Sequence, residues 1–280
     1  MKVKKYEAVI ACGGLGTRLK DITRGIPKPL FPINGKSTLE RCLEQLSKNS
    51  INNILITIGY KSVLFQKFKN QLEKKYNSKI DLFEEKKPLG ECGALWLLKD
   101  KLSTDFVFVN GDIVLSIDFN RLINFHKRLS SNLTLVSHTS DHPEDSDLVS
   151  SPNGTLIEEI FFKNSKNKYK TYAYLGNSGI CVIKKNLLDY IKAPNEKDSK
   201  SIFDFLIKNK LNLRKNIYSY NTSEYMKDMG TPKRLKMVSQ DLKQNKVYPS
   251  NYLNKQKALF IDRDNTLVKC SIGEYILDKD

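Results

Sequence analysis

Glycine and cationic residues gather in one stretch near the N-terminus, ACGGLGTRLKDITRGIPKPLFPING, directly after the apolar run YEAVIA. Gly13, Gly14 and Gly16 allow positive φ and a close approach of backbone to ligand, so consecutive N–H groups can point at phosphate oxygens. Thr17 adds a hydroxyl donor. Arg18 and Lys28 are near enough in sequence to fold over the same anion, and Pro27 and Pro29 stiffen the backbone that carries Lys28. Such a loop suits the handling of a polyphosphate. Two better-known glycine loops are excluded by spacing, because GLGTRL satisfies neither G-x-x-x-x-G-K-[ST] nor G-x-G-x-x-G. The glycines alone would also fit a plain turn before a solvated cationic loop. The whole string G-G-x-G-T-R-L with P-K-P beyond it makes that the weaker reading.

The elements that must hold this loop read as α/β. YEAVIA, NNILITIGY, KIDLFEE and DFVFVNGD are short β-rich apolar runs, and STLERCLEQLSKNS, VLFQKFKNQLEKK and GALWLLKDKL between them read as helices. The alternation predicts a Rossmann-like mixed, mostly parallel sheet flanked by helices. Ser37 with Glu40 forms a capping box, and Leu39, Leu43 and Leu46 recur on one helical face. Asp112 follows the strand DFVFV, at the carboxyl end of the sheet, where open α/β folds bind ligands. Asn110-Gly111 suits a hairpin turn, but DFNRLINFHKRL beyond it reads as helix rather than a returning strand. From about residue 130 the pattern turns to strands with longer connections (NLTLVSH, GTLIEEIFF, SGICVI), then helices around 201–209 and 231–244. This predicts a substrate-side lobe on the same sheet. The polar stretch KQNKVYPSNYLNKQ reads as a linker to a further apolar strand, KALFID. The expected division is a principal domain over 1–244, a linker over 245–256 and a second piece over 257–280.

Composition excludes several classes. Hydrophobic residues at 40% and charged residues at 28% describe a globular chain rather than a disordered one. No run of about 18 apolar residues occurs, and the N-terminus lacks a signal-peptide core, which predicts a cytoplasmic protein with no membrane partner. Cys12, Cys42, Cys92, Cys181 and Cys270 are scattered, without a C-x-x-C pair, so neither a disulfide framework nor a zinc site is indicated. The 47 Lys and Arg against 31 Asp and Glu give +16. These are mostly lysines dispersed among asparagines, with no basic helix or arginine stripe, so a dedicated nucleic-acid surface is not expected. Nothing in the sequence sets an oligomeric state.

The string AVIACGGLGTRLKDITRGIPKPLFPINGKSTLE resembles the signature of the sugar-1-phosphate nucleotidyltransferases, whose fold is the GT-A-like nucleotide-diphospho-sugar transferase fold. EKKPLGECGAL, VNGDI, LGNSGICV and KDMGTPKRL follow in family order, over roughly residues 5–240. The likeness is greatest to the branch acting on D-glycero-D-manno-heptose 1-phosphate. It implies an enzyme that joins a nucleoside triphosphate to a sugar 1-phosphate with Mg²⁺, releasing pyrophosphate, for nucleotide-sugar synthesis serving lipopolysaccharide or capsule. By the same resemblance Gly13, Gly14, Gly16 and Thr17 hold the triphosphate. Arg18 stabilises the leaving pyrophosphate, and Lys28 bridges the phosphates at the reacting centre. Asp112 and Asp228 are the Mg²⁺ ligands, Asp228 having a helix-cap alternative before Thr231-Pro232. Glu85 and Gly90 meet the base, Asn177 and Gly179 meet sugar hydroxyls, and Lys163 binds the sugar phosphate. A carboxylate only accepts hydrogen bonds, and guanine offers two adjacent donors where uracil and thymine offer one, so Glu85 favours GTP. Its alternative is a solvated acidic patch with Glu84. Three departures stand out: IFFKNSKN replaces F-x-E-K-P, with Phe162 and Asn164 flanking the retained lysine and its glutamate lost; Ser178 and Cys12 replace alanines. The lost glutamate bears on hexose recognition.

Near the C-terminus, KALFIDRDNTLV resembles motif one of the HAD phosphatases, with Asp262 as nucleophile and Asp264 as general acid. Chains that fuse the two activities act on heptoses, which favours a heptose acceptor. Only sixteen residues follow Asp264, so phosphatase activity is not expected. Two other readings stand beside the guanylyltransferase: a uridylyl-, cytidylyl- or thymidylyltransferase for another sugar or alcohol phosphate, and a relative that binds nucleotide without turnover. Retention of Arg18, Lys28, Asp112 and Asp228 together argues against the last.

Overall fold

A computed structural model describes residues 7–87, 89–102, 105–140, 143, 146–162, 175–191, 201–202, 205, 216–255, 259–262 and 266. The strands are β1 (Ala8–Cys12), β2 (Pro32–Ile33), β3 (Lys36–Ser37), β4 (Asn53–Ile58), β5 (Lys79–Glu84), β6 (Phe106–Asn110), β7 (Ile113–Ser116), β8 (Leu133–Thr139), β9 (Leu148–Ser150), β10 (Glu159–Phe161), β11 (Leu175–Ile183), β12 (Ile217–Asn221) and β13 (Tyr225–Asp228). The helices are α1 (Lys20–Thr23), α2 (Thr38–Lys48), α3 (Ser62–Tyr76), α4 (Gly90–Leu98), α5 (Phe119–Arg128) and α6 (Pro232–Lys243).

The expected mixed, mostly parallel sheet is present. β1 lies between β4 and β6, parallel to both, and β4 continues parallel to β5. β11 enters antiparallel between β6 and β8, and β12 runs parallel to β8. Side chains alternate across this sheet with period two, so successive residues of β1 feed different cores. Ile10 packs with Leu39, Leu43 and Leu46 of α2 on one face. Val9 packs with Leu95 and Leu98 of α4 on the other. Burial on both faces is why these strands read as continuous apolar runs.

The capping box is present in full: Ser37 Oγ accepts from the Glu40 N–H at 3.2 Å, and Glu40 Oε2 accepts from the Ser37 N–H at 3.0 Å. Ser37→Ala removes one half of it and is expected to lower stability by about 1 kcal/mol. In urea the midpoint should fall with the slope unchanged.

The structure departs from the sequence reading at three places. A strand, β7, intervenes between the Asn110-Gly111 turn and α5, but it pairs antiparallel with β13 rather than folding back on β6. IVLS is wholly buried and so shows no alternation by which to recognise it. The polar stretch expected as a linker over 245–256 is docked as far as Tyr252. Val247 and Asn251 are buried, Asn251 Nδ2 donates to Gln45 Oε1 and Ser116 Oγ, and Glu224 Oε1 accepts from the N–H groups of Asp118 and Tyr252. Its anchors are polar, so composition concealed them. Leu259, Phe260 and Ile261, expected in a strand, are exposed and in no strand. No described strand lies beside them, and a lone strand does not hold its shape in water. Of the helix expected over 201–209, only Ile202 and Phe205 are described as helical; the rest lies outside the described residues.

Candidate active site

Two cavities of about 300 Å³ each open at the carboxyl ends of β1 and β6. The first is lined by the Gly13–Gly16 loop, Lys28, Glu85, Gly90 and Glu91. The second is lined by Arg18, Asp147, Asn177, Gly179, Asp228 and Arg234. Asn110 and Asp112 line both, so the turn after β6 is the wall at which the cavities meet.

Within the loop only Gly16 has positive φ (65°), whereas positive φ was expected of Gly13 and Gly14 as well. The Lys28 stem lies against Gly16, its Cγ 3.2 Å from where a Cβ would stand. Gly13 is needed for closeness instead: a Cβ there would lie 2.6 Å from Glu85 Oε1. The Glu85 carboxylate therefore sits directly on the loop. Gly90 has φ of 68°, a left-handed position at the start of α4. Thr17 is exposed, begins the 3-10 turn Thr17–Leu19 and lines neither cavity. Arg18 belongs to the second cavity, with its Nη2 3.3 Å from where a Gly230 Cβ would stand.

Lys28 Nζ stands 3.6 Å from Asp112 Oδ2. Burial pushes the Asp112 carboxyl above its ordinary range; Lys28 opposes the shift and the Asp228 charge adds to it. Burial likewise raises Glu85, against the Leu89 N–H that donates to its Oε2 at 3.2 Å. Asp228 ends β13, accepting from the Gly230 N–H at 2.7 Å and facing Arg234 Nη1 at 3.2 Å. It is not the helix cap: Thr231 Oγ1 accepts from the Arg234 N–H and caps α6. Among the described residues no group of three or more His, Cys, Asp or Glu could cage a metal. A carboxylate, Asp112, whose proton affinity the second carboxylate Asp228 raises across a polar cavity with room for phosphate oxygens and water, fits Mg²⁺, which takes few protein ligands.

Asn177 and Gly179 lie in a bulge of β11 between Asn177 and Cys181. Asn177 Oδ1 accepts from the Gly179 N–H at 3.1 Å, and Gly179 has φ of 76° with a Cβ position only 2.8 Å from Asn110 Nδ2. The Ser178 hydroxyl donates to the Val136 carbonyl at 2.8 Å, so it fastens the bulge rather than disturbing it. Lys163 and Asp264 lie outside the described residues. Asp262 is exposed, accepts from the Thr266 hydroxyl at 3.3 Å and lines neither cavity. Sequence reasoning missed Glu91, Asn110, Asp147 and Arg234. Asn110 was within reach as the neighbour of Asp112; the others come to the cavities through contacts distant in sequence.

The family described as "Nucleotidyl transferase" matches residues 7–245. The chain is 26% identical over 235 residues to the mannose-1-phosphate guanyltransferase of Saccharomyces cerevisiae, covering 81% of this chain and 62% of that protein. The Schizosaccharomyces pombe protein of the same name is 28% identical over 231 residues, covering 81% and 61%. The chain thus spans about three fifths of the length of these curated relatives. Among solved structures, HddC from Yersinia pseudotuberculosis superposes with a TM-score of 0.66 at 26% identity, covering 85% of this chain and 99% of that one; HddC complexed with GMP-PN gives the same values. An apo UDP-glucose pyrophosphorylase shares the fold, with a TM-score of 0.72 at 14% identity, covering 86% and 99%.

Proposed function

The chain belongs to the nucleotidyl transferase family, and from that premise we propose that it transfers a guanylyl group from GTP to the 1-phosphate of a manno-configured sugar, either mannose or D-glycero-D-manno-heptose, and releases pyrophosphate. The observation that carries this reading is the pair of cavities meeting at Asn110 and Asp112. Attack on the α-phosphorus requires two anions brought together in line, and a shared wall carrying a carboxylate is where they would meet. The first cavity takes the nucleotide: the Gly13–Gly16 backbone holds phosphates, Glu85 accepts from the base, and Gly90 lets the chain pass close to it. The second takes the sugar phosphate, with Arg18 beside it and Asn177 and Gly179 shaping its floor; Lys163 is assigned to the same phosphate.

Lys28 reaches from the phosphate loop to Asp112, so it spans the place where the bridging phosphate oxygens would lie and neutralises charge there. Asp112 and Asp228 would hold Mg²⁺. A bound Mg²⁺ would supply Lewis-acid neutralisation of the phosphate oxygens. No side chain forms a covalent intermediate in this scheme. The names of the yeast relatives support guanine and mannose, and the GMP-PN complex of HddC supports guanine. The resemblance to heptose-acting chains supports a heptose, and with it a place in surface-glycan synthesis. Among the described residues no helix is long and apolar enough to cross a membrane.

Pyrophosphate release with Mg²⁺ tests this, using GTP, ATP, CTP, UTP and dTTP, each with mannose 1-phosphate and with the heptose 1-phosphate. GTP with one of the two should stand clear of the panel. Glu85→Gln keeps the shape but turns one acceptor into a donor, and it should narrow the preference for GTP by roughly 10-fold or more, as expected for a charge-assisted hydrogen bond. Equal use of all five nucleotides by the wild type would remove base recognition from Glu85.

A further inference from the structure

Thr57 carries a hydroxyl without a partner. It lies near the carboxyl end of β4, is 1% exposed, and its Oγ1 is buried with no hydrogen bond among the described residues. Strand geometry explains why the chain itself supplies none. The main chain on either side is spent on the parallel ladders to β1 and β5, and the residues in register with Thr57 are Ala11 and Phe83, both apolar. Valine would fill the same space, form strand as readily and bring no polar atom to satisfy. A buried hydroxyl left unmatched therefore calls for a partner from outside the chain.

Its surroundings say which partner. Thr57 lines the first cavity with Ala11 and Ala94, whose small side chains leave room for a flat ring. Side chains two residues apart on a strand share a face, and the Glu85 N–H continues the ladder by donating to the Ile58 carbonyl at 2.8 Å. Glu85 thus follows Phe83 on the face that carries Thr57, and hydroxyl and carboxylate stand in one wall of the same cavity. The hydroxyl favours the charged form of Glu85 from outside hydrogen-bond geometry, so it remains available to a ligand. A carboxylate accepts and a hydroxyl can donate. Guanine presents along one edge the 2-amino group and N1–H, which donate, and then O6, which accepts. Adenine has an amino group where guanine has O6 and no proton on N1, so it would turn a lone pair toward Glu85.

We propose that Thr57 is a specificity-determining residue for the base, its hydroxyl donating to O6 of guanine while Glu85 accepts from N1–H and the 2-amino group. This rests on the guanylyl reading above and deepens it. The test is calorimetric binding of nucleotides with Mg²⁺ and no acceptor, so that no turnover is needed. The probes are GTP, ITP, which lacks the 2-amino group, and 6-thio-GTP, which has sulfur in place of O6. Thr57→Val should bind GTP about 3- to 10-fold more weakly, the scale of one neutral hydrogen bond. Wild type should favour GTP over 6-thio-GTP by a similar factor, and that preference should vanish in Thr57→Val and persist in Thr57→Ser. The preference for GTP over ITP, which reads Glu85, should be the same in all three. The Tm of Thr57→Val should hold or rise, because an unmatched buried hydroxyl has been removed. Unchanged GTP affinity in Thr57→Val would overturn the proposal. So would a fall in GTP affinity matched by an equal fall for 6-thio-GTP, which marks a structural role. Equal binding of GTP and 6-thio-GTP by wild type would also overturn it, and needs no variant to fold. Wild type that binds ATP, CTP or UTP as tightly as GTP would defeat the guanylyl reading and this proposal with it. Preferential binding of GTP with no turnover toward either sugar phosphate would defeat the transfer reading and leave Thr57 its role.

Discussion

Asp112→Asn should reduce turnover by about 10³-fold or more, the scale of losing a group aimed at charge that develops in the transition state. The substitution keeps the shape of the side chain at the wall common to both cavities and removes its charge. GTP-analogue affinity should change only a few-fold, because the Gly13–Gly16 loop, Lys28 and Glu85 all remain in the first cavity. Stability should move the other way from activity. The Asp112 carboxyl is held above its ordinary range in the folded protein by burial and by Asp228. Its ionisation is thus easier in the unfolded chain, and the charged form works against folding as pH rises through the ordinary carboxylate range. Deleting that charge should leave Tm at neutral pH unchanged or raised, even though Lys28 loses a partner at 3.6 Å. A variant keeping more than a tenth of wild-type turnover would remove Asp112 from the reacting centre. One that loses turnover together with several degrees of Tm would make its role structural.

That Asp112 was legible in advance, and Glu91 was not, has a physical basis. Asp112 ends a run of apolar β-formers, and any residue so placed in an open parallel sheet arrives at the ligand-binding edge, whatever the rest of the chain does. The same holds for the glycine loop after β1 and for Ser37 at the start of α2, whose partner is three residues away. Glu91 looks like an ordinary first-turn acid. Only the approach of Ile202, 111 residues on, and of Asn110 encloses it. Arg18 shows the limit of reasoning from proximity in sequence. It follows the loop directly, yet the 3-10 turn carries it past the first cavity into the second, beside Gly230. The docked segment up to Tyr252 was illegible for another reason. Its hold comes from Asn251 and Glu224 bonding across the fold, and polar residues of that kind are also what linkers contain.

Gly111→Ala should be the most damaging of the small substitutions. No φ constraint acts there; the difficulty is space. A Cβ would lie 2.5 Å from Cys12 Sγ, 2.8 Å from the Ala11 carbonyl oxygen and 3.3 Å from Pro29 Cγ. The oxygen belongs to β1 at the centre of the sheet, and the Gly111 N–H donates to it at 2.9 Å, so it has nowhere to go. The carbonyl of Gly111 is held as well, by the Thr38 hydroxyl at 2.7 Å. Overpacking of this kind costs about 3 kcal/mol, or a fall in Tm of roughly 6–12 °C for a chain of this size. The strain would be relieved by displacing the turn, and an ångström of movement at Asn110 and Asp112 would lower turnover by about 10²-fold. Cys12→Ala deletes the sulfur and leaves the carbonyl, so Gly111→Ala in that background should recover part of the Tm and not all of it. The coupling between the two sites would then be read directly as a double-mutant cycle. A Tm within 2 °C of wild type for Gly111→Ala alone would show that the turn after β6 can shift freely, and with it the wall that the proposed transfer depends on.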